Sequence, residues 1–141
     1  MSGFLLDTNC LSELVRIKPE PRVVEWMEAA DEGLLYLSVL TFGEIRKGLA
    51  GMSQGKRRAR LEAWLEADLQ ARFSGRILSI DRPVADRWGF ITAQAKSEGY
   101  SLPIVDGLLA ATAVHSNLTV VSRNISDFRR AHVPVFNPWE G

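Results

Sequence analysis

A chain of 141 residues with 46% hydrophobic and 24% charged residues has one domain's worth of ordinary globular composition, enough for a core without disulfides or a structural metal. Its 17 Lys+Arg balance 17 Asp+Glu, which argues against a general polyanion-binding protein of the histone or ribosomal kind but leaves room for a local basic site. One cysteine and two histidines exclude an internal disulfide and make a poor zinc set. The start, MSGFLLDTN, lacks the basic segment of a signal peptide, and no run nears the ~18 apolar residues of a membrane span. The expectation is a cytoplasmic protein.

In chain order, Phe4–Leu6 reads as a short buried strand. Pro21 opens a helix carrying Val23, Val24, Trp26, Met27 and Ala30, and Leu35–Ser38 is a second strand. A helix from near Leu40 to about Leu49 places Phe42, Ile45 and Leu49 on one face. Ser53 is a candidate cap for the next, where Leu61, Trp64, Leu65, Leu69 and Phe73 recur at helical spacing. Ile77–Ile80 is a third strand, and Asp81-Arg82-Pro83 starts a helix that carries Val84, Trp88, Ile91 and Ala95 and stops at Gly99. Pro103 starts a Leu- and Ala-rich helix ending near His115; Leu118–Val121 and Val133–Phe136 are the last strands. Continuous apolar runs alternating with helices predict a three-layer α/β fold, with a mainly parallel sheet of four or five strands, over one domain, 1–141.

Most acids lie on polar helix faces, as Glu25, Glu28, Glu62 and Glu66 do. Four lie among core-type residues. Asp7 follows the strand FLL, and Glu44 lies in LSVLTFGEI; Asp106 lies in LPIVDGLLAA, and Asp127 in the turn VSRNISDF. Singly, each reads equally well as a helix cap worth about 0.3–1 kcal/mol, above all Asp7 and Asp106 at helix starts. In an open parallel sheet, however, residues just after strands gather on one edge, where ligands bind. Four carboxylates gathered there cannot all stay ionised without a cation. Hard oxygen donors with no Cys or His beside them favour Mg2+ or Mn2+, the setting of metal-assisted phosphodiester hydrolysis.

FLLDTNCLSEL, LSVLTFGEIRKGL and LPIVDGLLAATAVHSNLTVVSRNISDF, in this order and spacing, resemble the PIN-domain ribonucleases. The likeness is greatest to their bacterial VapC-type toxins, including the FitB-related subgroup. The resemblance implies a parallel sheet flanked by helices and an Mg2+- or Mn2+-dependent endoribonuclease. It carries Asp7, Glu44 and Asp106 over as metal-binding acids, with Asp127 at a fourth position that varies in the family. Asn9, Ser122 and Asn124 match polar positions that orient ligands or water; Ser122 stands where many relatives have threonine. It also implies a VapB-type antitoxin that blocks the site, toxin homodimers, and operator DNA bound through the antitoxin.

Arg46, Lys47, Lys56, Arg57, Arg58 and Arg60 occupy a segment without an acid. It reads either as a contact for RNA phosphates or the partner, or as a solvated hairpin with Arg58–Glu62 as an i,i+4 pair. Trp26, Trp64 and Trp88 belong to apolar helix faces, and Trp139 to the tail NPWEG, where it covers an edge or is disordered. Cys10 reads as a small buried hydrophobe, Gly107 as a close-packing position, and His115 and His132 as structural or exposed. Asp7-Thr8-Asn9 lacks the D-x-D of a dehalogenase-type phosphatase, and the paired acids and late lysine of a receiver domain are missing. A non-catalytic binding module would carry a damaged acid set, whereas all four acids stand here.

Overall fold

The computed structural model describes residues 2–141. Five strands form one parallel sheet: β1 (Phe4–Leu6), β2 (Leu35–Ser38), β3 (Ile77–Leu78), β4 (Thr119–Val121) and β5 (Val135–Phe136), in the order β3-β2-β1-β4-β5. Register is fixed by Phe4 opposite Leu35 on one side of β1 and opposite Thr119 on the other. The helices are α1 (Thr8–Leu14), α2 (Pro21–Ala29), α3 (Val39–Ala50), α4 (Lys56–Ala63), α5 (Leu69–Arg72), α6 (Arg82–Ser97), α7 (Ile104–His115) and α8 (Ile125–Arg130).

Strand alternation divides the core. Leu6, Leu35, Leu37 and Val121 pack with Val23, Ile45, Leu65 and Phe73 of α1–α5 and its loops, while Leu5 and Val120 pack with Ala95, Leu109, Ala110 and Phe128 of α6–α8. Both faces are covered, so each strand needs apolar residues at consecutive positions. The chain leaves β1 toward β2 and β3, then returns to β4 on the other side. The order therefore reverses between β1 and β4, where a crevice opens beyond the strand ends.

Several boundaries differ from the pattern, for identifiable reasons. The strand predicted from Leu118 begins at Thr119, because the Leu118 N–H closes α7 onto the Ala113 carbonyl (2.8 Å), with Asn117 at φ +55°. The Val133 N–H likewise closes α8 onto Phe128 (3.2 Å), with His132 at φ +58°, and delays β5 to Val135. Gly99, at φ +91°, ends α6 by the same device. Ser53 does not cap α4; the preceding residue is Gly55, and no side chain caps that helix. The Leu61-to-Phe73 run is helical, but passes through a π-helical turn at Trp64–Asp68. β3 stops at Leu78, short of the predicted Ile80, and Asp81 caps α6 by accepting from the Val84 N–H (3.2 Å). No helix among the described residues is long and apolar enough to cross a membrane.

Candidate active site

Asp7 follows β1 directly. Its backbone N–H still belongs to the sheet, donating to the Val121 carbonyl (2.9 Å), while its carboxylate caps α1 by accepting from the Thr8 N–H (2.7 Å). The other carboxylate oxygen accepts from the hydroxyl of Ser122, the residue after β4 (2.7 Å). Ser122 is fully buried and in turn accepts from the Asn124 N–H (2.9 Å) and from the Asn9 amide (3.3 Å). The cap reading of Asp7 is thus correct, and the same geometry aims its carboxylate across the β1–β4 crevice.

Asp106 lies in the first turn of α7, half-buried, and Asp127 in the first turn of α8. The sequence places Asp127 in a turn; the structure places it on a short helix. Their meeting point is Asn124, whose amide donates to Asp106 Oδ2 (2.9 Å) and Asp127 Oδ2 (2.8 Å). Glu44 reaches the cluster from α3, held by the Thr8 hydroxyl, which donates to Glu44 Oε1 (2.5 Å) and lies 3.3 Å from the hydroxyl of buried Thr41. All four acids, along with Asn9, Ser122 and Asn124, therefore belong to one connected polar network.

The electrostatics agree. Burial pushes Asp7 up, against the pull of the Ser122 and Thr8 donors, and the Glu44 charge adds to the rise. Asp106 is pushed up to about 7 by burial, by its hydrogen bond with Asp127, and by the charges of Asp7, Asp127 and Glu44. Among the described residues no three such groups close into a preformed ion cage. The donor chemistry nevertheless fits a hard divalent cation, because all four ligand candidates are carboxylates whose mutual repulsion a cation would relieve.

Sequence reasoning missed Thr8. Nothing along the chain links it to Glu44, 36 residues away. The available signal was Thr41, a hydroxyl three positions before Glu44 on the same helix face. The basic segment is less free than its sequence suggests. Arg46 pairs with Glu66 (2.8 Å) and Glu62 (3.5 Å), Arg57 donates to the Val15 carbonyl, and Arg58 donates to Met52 O (3.0 Å) and lies 3.7 Å from Glu62. Lys47, Lys56 and Arg60 make no ion pair among the described residues. Cys10 is fully buried with its thiol pushed up by burial, which leaves it inert. Gly107 does admit close packing: a Cβ there would lie 3.0 Å from Trp88 Nε1. His115 is exposed, and His132, also exposed, pairs with Glu98 (2.9 Å).

Beside Glu44 runs an apolar groove of about 710 Å³, lined by Val39, Leu40, Lys47, Met52 and Val105. Ile104, 67% exposed, stands next to Val105 at its margin.

The profile of the PIN domain matches residues 4–133, a span that contains every acid of the cluster. The chain belongs to the PIN-domain family. This PIN domain is 42% identical over 135 residues to Toxin FitB of Neisseria gonorrhoeae, an alignment covering 96% of the chain and 97% of the relative. It is 39% identical over 136 residues to VapC ribonuclease Y4jK of Sinorhizobium fredii, at 96% and 97% coverage. Among solved structures it superposes on FitAcB from Neisseria gonorrhoeae with a TM-score of 0.94 and 41% identity, covering 98% of this chain and 99% of that one. FitAB bound to an IR36 DNA fragment gives a TM-score of 0.92 at 40% identity, with 96% and 95% covered. The expected PIN fold and the resemblance to FitB- and VapC-type proteins therefore hold.

Proposed function

We propose that this PIN domain is the toxin of a VapBC-type toxin–antitoxin pair and an endoribonuclease that hydrolyses RNA phosphodiester bonds in the cytoplasm with Mg2+, or Mn2+ in its place. The observation that carries the reading is the single polar network in which Asp7, Glu44, Asp106 and Asp127, far apart in sequence, meet at the β1–β4 switch point. Asp7, Glu44, Asp106 and Asp127 would hold the divalent ion. When bound, such an ion supplies an activated water and charge stabilisation at the phosphorus. Ser122 and Asn9 fix Asp7, Asn124 fixes Asp106 and Asp127, and Thr8 fixes Glu44, so the acids are presented without a search over rotamers.

The partner reading is supported by the relatives. The similar solved structures are FitAcB and FitAB bound to an IR36 DNA fragment. A VapB-type antitoxin segment would cover the acids and fill the apolar groove beside Glu44, the pair would bind operator DNA through the antitoxin, and the toxin would form homodimers. The test is to sequence RNA 5′ ends after brief expression of the chain and of an Asp106→Asn control. New ends confined to the intact chain support the reading; identical end profiles reject it.

A further inference from the structure

A second cavity, of about 410 Å³, opens on the same strand edge, walled by the end of α1, the loop to α2, the residue after Ser122 and the tail after β5. Trp139 forms one wall. It is buried, and its indole N–H donates to Glu13 Oε1 (3.4 Å), which ties the tail to α1. The charges around this cavity do not balance. Buried Glu13 is matched by Arg16 (3.3 Å) and by the Glu20 N–H (2.9 Å), and the Glu20 carboxylate is matched by Arg22 (2.9 Å). Lys18 and Arg123 have no carboxylate partner among the described residues. Two cations therefore face the cavity uncompensated.

Arg123 also joins the cavity to the acid cluster. It sits between Ser122 and Asn124, and its N–H donates to Asn9 Oδ1 (3.4 Å), while its guanidinium lies 5.6 Å from the Trp139 ring centroid. Asp7 caps α1, and the helix's rise of about 1.5 Å per residue puts Glu13 roughly 10 Å away, too far for the scissile phosphate but within reach of a flanking nucleotide. A cluster of carboxylates repels an approaching polyanion, so cations beside it on the same edge are what an RNA strand requires. We infer that this cavity is a subsite for a backbone phosphate of the RNA flanking the scissile bond, gripped by Arg123 and Lys18. The inference rests on the ribonuclease reading above and names where the substrate strand runs.

The test uses a fluorescein-labelled single-stranded RNA of mixed sequence, with anisotropy measured from 50 to 200 mM salt in EDTA on the Asp106→Asn chain, which is expected not to cut it. Arg123→Gln and Lys18→Ala are each added to that chain, with Lys96→Ala on α6 as the control. Lys18 is exposed, so its variant keeps the fold, and a melting curve checks Arg123→Gln. Each variant is expected to weaken binding alike for RNAs of different sequence, since phosphate contacts carry no sequence information. Each should also flatten the slope of log K against log salt by ~0.7, one released counterion on a single strand, while Lys96→Ala changes neither. Wild-type slopes in both variants, with the intact chain still cutting RNA, overturn the subsite and leave the ribonuclease reading standing. An intact chain that neither binds nor cuts RNA overturns both.

Discussion

Replacing Asp106 by Asn is expected to abolish RNA cleavage while making the metal-free protein more stable. In the folded chain the carboxyl titrates at about 7 against an ordinary 3.8, because burial, the hydrogen bond with Asp127 and three neighbouring carboxylates all disfavour its charge. Between those two pH values the folded state holds a proton that the unfolded state releases. This group's contribution is therefore most favourable below about pH 4 and is lost as pH rises through 7. The full rise corresponds to a ceiling of roughly 4 kcal/mol at neutral pH. Solvent screening of a half-buried carboxyl and sharing of the proton with Asp127 reduce that to roughly 1–2 kcal/mol. Asn keeps an acceptor for the Asn124 amide at the same position and removes the charge. Thermal melts in EDTA should then show the variant about 3–6 °C above wild type at pH 7.5, with the difference closing at pH 4. Added Mg2+ or Mn2+ should raise the wild-type midpoint at pH 7.5 and leave the variant unmoved. A variant no more stable than wild type at pH 7.5, or a gap independent of pH, would refute the claim that the acids repel one another at one site.

Thr8→Ala should lower Mn2+ affinity by about 10- to 100-fold, the usual range for losing a group that orients a metal ligand, and Thr8→Ser should restore it; titration followed by electron paramagnetic resonance reads this without turnover. Equal affinities for the Ala variant and wild type would free Glu44 of its dependence on Thr8. Divalent-ion binding to the wild type should tighten between pH 6 and 8, with release of a proton visible in calorimetry as an enthalpy that varies with buffer, because Asp106 must deprotonate to ligate. A pH-independent affinity across that interval would remove Asp106 from the ligand set. In the basic segment, Lys56→Ala and Arg60→Ala should weaken RNA binding and leave Mn2+ affinity intact, whereas Arg58→Ala should instead cost stability, since Arg58 is tied to Met52 O and Glu62.

Much of the architecture was legible because it is a matter of period. Phe4–Leu6 and Leu35–Ser38 are strands at the predicted residues, because parallel strands covered on both faces leave short continuous apolar runs, while the longer apolar run of α7 is told apart by its length and by the proline before it. The two late strand starts share one cause. At Leu118 and Val133 apolar character continues into residues whose N–H groups are spent closing the preceding helix through Asn117 and His132 at positive φ. Hydrophobicity reports burial, whereas a strand edge is decided by which partner takes the hydrogen bond. The end of α7 near His115 and of α6 at Gly99 are where the sequence places them, whereas His132 carries no helix-end signal and the short α8 before it reads as a turn.

The site divides along a similar line. Asp7, Glu44, Asp106 and Asp127 stand out in sequence because a carboxylate among core residues is costly, and that cost is visible one residue at a time. What holds them is not visible in that way. Thr8 looks like any first-turn hydroxyl, and Arg123 like any loop cation, until the fold brings Glu44 and Trp139 to them across 36 and 16 positions of chain. Positioning groups are inexpensive residues wherever they stand, so the sequence carries no penalty to betray them. Only the pairing with Glu44 on α3 distinguishes Thr8 from an ordinary first-turn hydroxyl. For the same reason the acids can be named from a motif, while the path of the proposed RNA strand has to be sought in the charges that the surrounding surface leaves unmatched.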